Sequence, residues 1–193
     1  MKWSFPFILL FFGALLTGGA MICACSGKGG EGKEKILFDF ETDDALDRLI
    51  WKCKVVYALS EKYATHGVRC LEIALYPSDY PGVTPLLDFH DWRGYRFFCF
   101  DIFNPGDSDA IFTLRIDDKK EAPDYKDRVN LKLKVSPGEN HFKIPLDDIA
   151  VSGGERFLSL KTVERFLIFQ AHPEKKSLFY LDHVRLISWA SGG

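Results

Sequence analysis

The sequence predicts an all-β fold, an antiparallel two-sheet sandwich of about nine strands in one domain. Three observations carry the prediction. Apolar and polar residues alternate with period two through most of the chain, and amphipathic helical runs are nearly absent. Turn residues, above all Asn104-Pro105-Gly106 and Pro137-Gly138, punctuate those runs at sandwich-like intervals. In 127–150, two alternating segments flank the Pro-Gly turn, and a Pro145-Leu146-Asp147-Asp148-Ile149 corner follows.

The strands are read in order. Ile36 to Glu41 is the first, and Ala45 to Ile50 has the composition of a short helical turn. Cys53 to Leu59 and Arg69 to Tyr76 follow; Leu71, Ile73 and Leu75 share one face of the latter. Pro77 ends that strand and opens a loop to Pro85. Tyr95 to Asn104 is the strongest, with Phe98, Phe100 and Ile102 on one face and Tyr95, Phe97, Cys99, Asp101 and Phe103 on the other. Ala110 to Asp117 turns Phe112, Leu114 and Ile116 inward and Thr113, Arg115 and Asp117 outward. Beyond a polar loop at 119–126, Val129, Leu131, Leu133 and Val135 alternate inward, leaving Arg128, Asn130, Lys132 and Lys134 outward. Phe142 to Ile144, Val163 to Ala171 and Ser177 to Ser188 complete the set.

The fold is expected to span 36–189. Residues 1–24 combine a basic start at Lys2, an apolar core from Phe5 to Leu16 and a stretch of small residues. That is a secretory signal pattern, with a core too short for a stable membrane span. Its end, Ile22-Cys23-Ala24-Cys25-Ser26, resembles a bacterial lipoprotein signal with Cys25 as the acylated residue. Ordinary cleavage near Ala24 is the competing reading. Residues 25–35 are rich in Gly and Lys and read as a flexible tether. The expected location is the cell envelope, with the domain outside the cytoplasm. The only membrane contact is the lipid anchor. Ser26, rather than Asp, points to the outer membrane where the cell has two.

The chain carries 25 basic and 27 acidic residues, a net charge of −2 at pH 7. No basic stripe is apparent, which argues against nucleic acid as a partner. Cys53, Cys70 and Cys99 allow at most one bridge in the domain, and Cys70 and Cys99 share the non-core side of their strands. No Cys-x-x-Cys pair lies in the domain, so a zinc site is not expected.

The order of motifs is familiar: FDFE at 38–41, HGVRCLEI at 66–73, DWRGYRFFCFDIFNP at 91–105, DRVN at 127–130, PGENHFKIPLDDI at 137–149 and FYLDHVRL at 179–186. Together they resemble the galactose-binding-domain-like jelly-roll sandwich, which includes carbohydrate-binding modules and complex I intermediate-associated domains. The resemblance implies a non-catalytic module whose partner is a polysaccharide or other glycan. Its alternative is a protein-interaction or assembly module that binds no sugar. It also implies a structural Ca²⁺ held by Glu41 and Asp182, with main-chain carbonyls near His66 and Val68 among about six to eight oxygen ligands. The other reading of Glu41 and Asp182 is pairing with arginines or main-chain N–H groups.

The candidate ligand contacts are Asp101, Phe103, Arg115, Asp117, Arg128 and Asn130, taken as emerging on one non-core face of the middle strands. Carboxylates and guanidinium groups make bidentate hydrogen bonds to sugar hydroxyls, and the C–H face of a sugar packs on aromatic rings. Besides Phe103, the rings of Tyr57, Tyr95, Trp51 and Trp92 are available. The competing reading makes Arg115–Asp117 and Arg128–Asp101 salt bridges and puts Phe103 and Trp92 in the core. Catalysis is not expected. Asp101 and Asp117 are the most plausible acid pair, but Arg115 beside them would keep both ionised. No Gly-x-Ser-x-Gly, His-Glu-x-x-His or phosphate loop occurs.

Overall fold

The computed structural model describes residues 32–50 and 53–189. Ten strands form two antiparallel sheets: β1 Glu34–Phe38, β2 Val55–Ser60, β3 Cys70–Leu75, β4 Gly82–Val83, β5 Tyr95–Asn104, β6 Ala110–Asp117, β7 Val129–Val135, β8 Gly138–Pro145, β9 Arg165–Phe169 and β10 Ser177–Ser188. The six-stranded sheet runs β2-β3-β10-β5-β8, with β1 also on β10, and the four-stranded sheet runs β4-β9-β6-β7. Short 3₁₀ turns lie at Asp43–Ala45 and Tyr125–Asp127.

The alternation read from the sequence is the inward face of each sheet. Leu71, Phe98, Phe100, Ile102 and Leu181 of one sheet meet Leu114, Ile116, Val129, Phe166 and Ile168 of the other, all buried. Rings cross the interface directly: Phe98 lies 5.0 Å from Phe166, and Phe112 lies edge-on to Phe179 at 4.7 Å. Burying such side chains contributes roughly 1.5–3 kcal/mol each, the main favourable term holding the sheets together. Trp92 is fully buried beneath Phe98, with its indole N–H donating to the Phe89 carbonyl.

Two turns read from the sequence act differently from hairpins. β7 and β8 lie in different sheets, and so do β5 and β6. Pro137-Gly138 and Asn104-Pro105-Gly106 are therefore corners that carry the chain across the sandwich. Asn104 ties the corners together: its Nδ2 donates to the Val135 carbonyl, and its Oδ1 accepts from the Gly106 N–H.

The first strand ends at Phe38 rather than Glu41. Phe40 has φ of 58° and is fully buried, so the chain leaves the sheet there to insert that ring. The helical turn sits earlier than expected, at Asp43–Ala45, and Leu49 instead bridges to Pro85. β4, two residues long within the expected 77–85 loop, is the one strand without a sequence signal. Gly82 is needed there because a Cβ would lie 2.3 Å from the Ile168 carbonyl oxygen of β9.

Cys53, Cys70 and Cys99 are free thiols. Cys70 and Cys99 cannot bridge, because β10 runs between their strands and two strand spacings exceed disulfide reach. Residues 1–24 with their signal, Cys25, most of the tether, and Trp51 lie outside the described residues.

Candidate functional site

The six residues expected to share one face are split between the two outer faces of the sandwich. Asp101 and Phe103 are on β5, in the six-stranded sheet. Arg115, Asp117, Arg128 and Asn130 belong to β6, β7 and the residue before β7, in the four-stranded sheet. The hydrophobic core lies between them. Alternation placed each residue correctly on the outside of its own strand but could not say which outside.

The Asp101 face is closed by the 61–69 segment. Tyr63 lies flat on Phe103, ring centroids 3.8 Å apart and planes 10° from parallel, and meets Tyr180 edge-on. Thr65 Oγ1 donates to Asp101 Oδ2 at 2.8 Å, and His141 Nδ1 lies 2.9 Å from Oδ1. Asp101 is only 3% exposed. The Arg128–Asp101 pair of the competing reading does not form, because the two lie on different sheets, and Asp101 and Asp117 cannot flank one glycosidic bond.

The expected calcium ligands sit beside the same segment. Glu41 Oε1 accepts the N–H groups of Val68 and Arg69 at 3.0 and 2.9 Å. Asp182 Oδ2 accepts those of Thr65 and His66 at 2.7 and 2.9 Å, and its Oδ1 accepts that of His183. Burial pushes the Asp182 carboxyl above the usual range, and these N–H bonds oppose that shift. A hard cation needs converging oxygens. Here N–H hydrogens converge on the carboxylates, and no cluster of three acidic, His or Cys ligands occurs among the described residues. The arrangement does not fit a Ca²⁺ site.

The outer face of the four-stranded sheet is open. It carries a cleft of about 470 Å³ whose floor draws on all four strands of that sheet. Strand register sets its rows. Gly82, Phe169, Thr113 and Lys132 lie side by side, then Leu167, Arg115 and Asn130. Asp117 pairs with Arg165 at the end of the floor and is fully buried. Arg115 makes two hydrogen bonds to it, at 2.7 and 2.6 Å, and Arg165 Nε lies 3.2 Å away. Asp117 is thus a support for Arg115 rather than a ligand contact. Asn130 Nδ2 donates to Ser152 Oγ at 3.0 Å, and Lys132 Nζ to Thr113 Oγ1 at 3.1 Å.

Two exposed tyrosines line this cleft. Tyr80, 53% exposed, stands edge-on to Phe169, and Tyr125, 64% exposed, lies under the Arg128 guanidinium. Neither was among the candidates, because both lie in loops where periodicity says nothing. The aromatic residues that were named serve elsewhere. Trp92 and Tyr57 are buried, and the Tyr57 hydroxyl donates to the Gly82 carbonyl at 2.6 Å. Tyr95 packs edge-on to Phe89.

No family model matches the sequence, and no curated protein matches it. Solved structures do. A family 11 carbohydrate-binding module from Clostridium thermocellum, in complex with a β-1,3-1,4-mixed-linked tetrasaccharide, superposes with a TM-score of 0.60 at 18% identity, over 82% of this chain and 98% of that one. The CBM22-1 xylan-binding domain from a Paenibacillus barcinonensis protein gives 0.55 at 15% identity, over 84% and 97%. An exo-β-agarase gives 0.64 at 15% identity, over 79% of this chain but 25% of the enzyme. The chain therefore has the β-sandwich fold of carbohydrate-binding modules, as the motif order implied. At these identities the likeness is one of fold.

Proposed function

We propose that the protein is a non-catalytic glycan-binding module and that its site is the open cleft on the four-stranded sheet. The observation that carries this is the pairing of a polar floor, Thr113, Arg115, Asn130 and Lys132, with the exposed rings of Tyr80 and Tyr125. Floor donors recognise sugar hydroxyls, and rings pack on the apolar face of a pyranose. Modules of the same fold whose structures are described by mixed-linkage glucan or xylan support the reading. The alternative, a sugar-free assembly module, calls for an aromatic-poor face.

The module would act at the cell envelope, tethered through acylated Cys25 after removal of 1–24. Detergent partitioning and acyl labelling of the wild type against Cys25→Ala test that part. For the cleft, calorimetry against a panel of soluble polysaccharides is the test, with Tyr80→Ala and Tyr125→Ala as variants. Each substitution should weaken binding by about 1 kcal/mol or more. Absence of binding to every glycan, or unchanged affinity in both variants, defeats the reading.

A further inference from the structure

Resting on that reading, we infer that the cleft selects an acidic glycan, one whose sugars carry carboxylate or sulfate groups, over a neutral one. Arg115, Arg128 and Lys132 line the cleft, and no carboxylate is among its described lining residues. The one acidic group beneath, Asp117, is already shared by Arg115 and Arg165. Two guanidinium groups on one buried carboxylate leave net positive charge at the cleft floor. This occurs on a chain whose net charge is −2, so the cation is concentrated here against the sign of the whole molecule.

Arg128 is the sharpest of these groups. Its Nε is buried with no hydrogen-bond partner, and its guanidinium forms no ion pair among the described residues. Among the described residues its guanidinium lies over the Tyr125 ring, 5.5 Å from the centroid. Burial, and then the nearby Arg115, push its pKa below the ordinary arginine value, with Asp117 opposing the shift only in part. A guanidinium kept half-buried beside a like charge is costly unless something anionic completes it. A neutral sugar offers hydroxyls, whereas a carboxylate or sulfate offers two acceptor oxygens in the geometry a guanidinium matches, plus the opposite charge. A cleft also focuses that field on an approaching polyanion. Lys132, whose ammonium donates to Thr113, supplies a second point charge two rows along the same face.

The test is calorimetry with oligogalacturonate, carboxyl-reduced oligogalacturonate, a sulfated galactan oligosaccharide and neutral mixed-linkage β-glucan, at low and high salt. The inference expects the carboxylated or the sulfated probe to bind about tenfold tighter than both neutral probes. That preference should shrink as salt rises. The carboxylated and sulfated arms identify which acid group is read. Arg128→Gln should remove most of the preference. Lys132→Gln, at an exposed position that folding does not require, should reduce it separately. Neutral glucan binding as tightly as the acidic probes, insensitive to both substitutions, overturns the acidic preference but leaves glycan binding standing. Binding of no glycan overturns the proposed function itself. Single-stranded DNA binding as tightly as the acidic oligosaccharides would show a general anion surface and likewise overturn the inference.

Discussion

Arg115 stands two residues before Asp117 on one face of β6, and its guanidinium closes on the Asp117 carboxylate through hydrogen bonds of 2.7 and 2.6 Å. Asp117 has no exposure, while Arg115 keeps 15% of its side chain accessible in the cleft. The buried partner therefore fixes the orientation of the accessible one. Asp117→Asn should cost about 3 kcal/mol in urea denaturation, since it leaves the Arg115 and Arg165 guanidinium groups unmatched. Arg115→Ala should cost less, because Arg165 remains 3.2 Å from the carboxylate. Glycan affinity should reverse the ranking, with the Arg115 variant losing more once both proteins are compared well below their melting points. Equal stability of the two variants would refute a supporting role for Asp117.

The stacking of Tyr63 on Phe103 makes the opposite face a closed one. Tyr63→Ala should destabilise the protein by about 1 kcal/mol and speed amide exchange across 61–69. It should leave glycan binding untouched, and so should Phe103→Ala. An affinity loss in either variant would return the ligand to the six-stranded sheet.

What was legible in the sequence, and what was not, follows from what alternation measures. Val129, Leu131, Leu133 and Val135 announce β7 because a half-buried strand must put every second side chain in the core. The same rule marks Asp101 and Arg115 as outward, yet in a sandwich there are two outward directions, and period two carries no label for the sheet. That label comes from Asn104-Pro105-Gly106 and Pro137-Gly138, whose composition is the same for a hairpin as for a corner between sheets. Arg115, Arg128 and Asn130 were thus placed outward, as the structure has them on one cleft, but wrongly grouped with Asp101 and Phe103. Tyr80 and Tyr125 sit in loops, so their exposure is decided by tertiary packing that leaves no local pattern.

Glu41 and Asp182 tie 65–69 to the sheet through main-chain N–H groups. Because those hydrogens already occupy the carboxylate oxygens, adding Ca²⁺ or a chelator should leave the melting temperature unchanged. Glu41→Gln should lower stability by about 1 kcal/mol in either condition. A calcium-dependent rise in melting temperature that disappears in Glu41→Gln would show that the segment rearranges around a cation.

The pH dependence of stability should have two separable limbs. Burial raises the Asp118 carboxyl, but hydrogen bonds from Arg156 and the Ser159 N–H outweigh it, and the net shift is downward from 3.8. Lys119 and Arg156 lower Asp127 in the same way. For both groups the unfolded chain holds more protons between the two values, so stability rises with pH there. Their contribution is complete above about 3.8 and is lost as pH falls through the depressed folded values. Asp182 has the opposite sign. Its folded value is raised, so the folded chain holds the extra proton just above 3.8, and ionising it costs stability as pH rises through that window. Stability should therefore fall off on the acid side through the Arg156 pairs, and decline separately above 3.8 as Asp182 ionises. In urea melts across this range, Asp118→Asn should flatten the acid limb and leave the upper one, whereas Asp182→Asn should remove the decline above 3.8. If Asp118→Asn leaves the acid limb unchanged, the Arg156 pairs are not what acid breaks first.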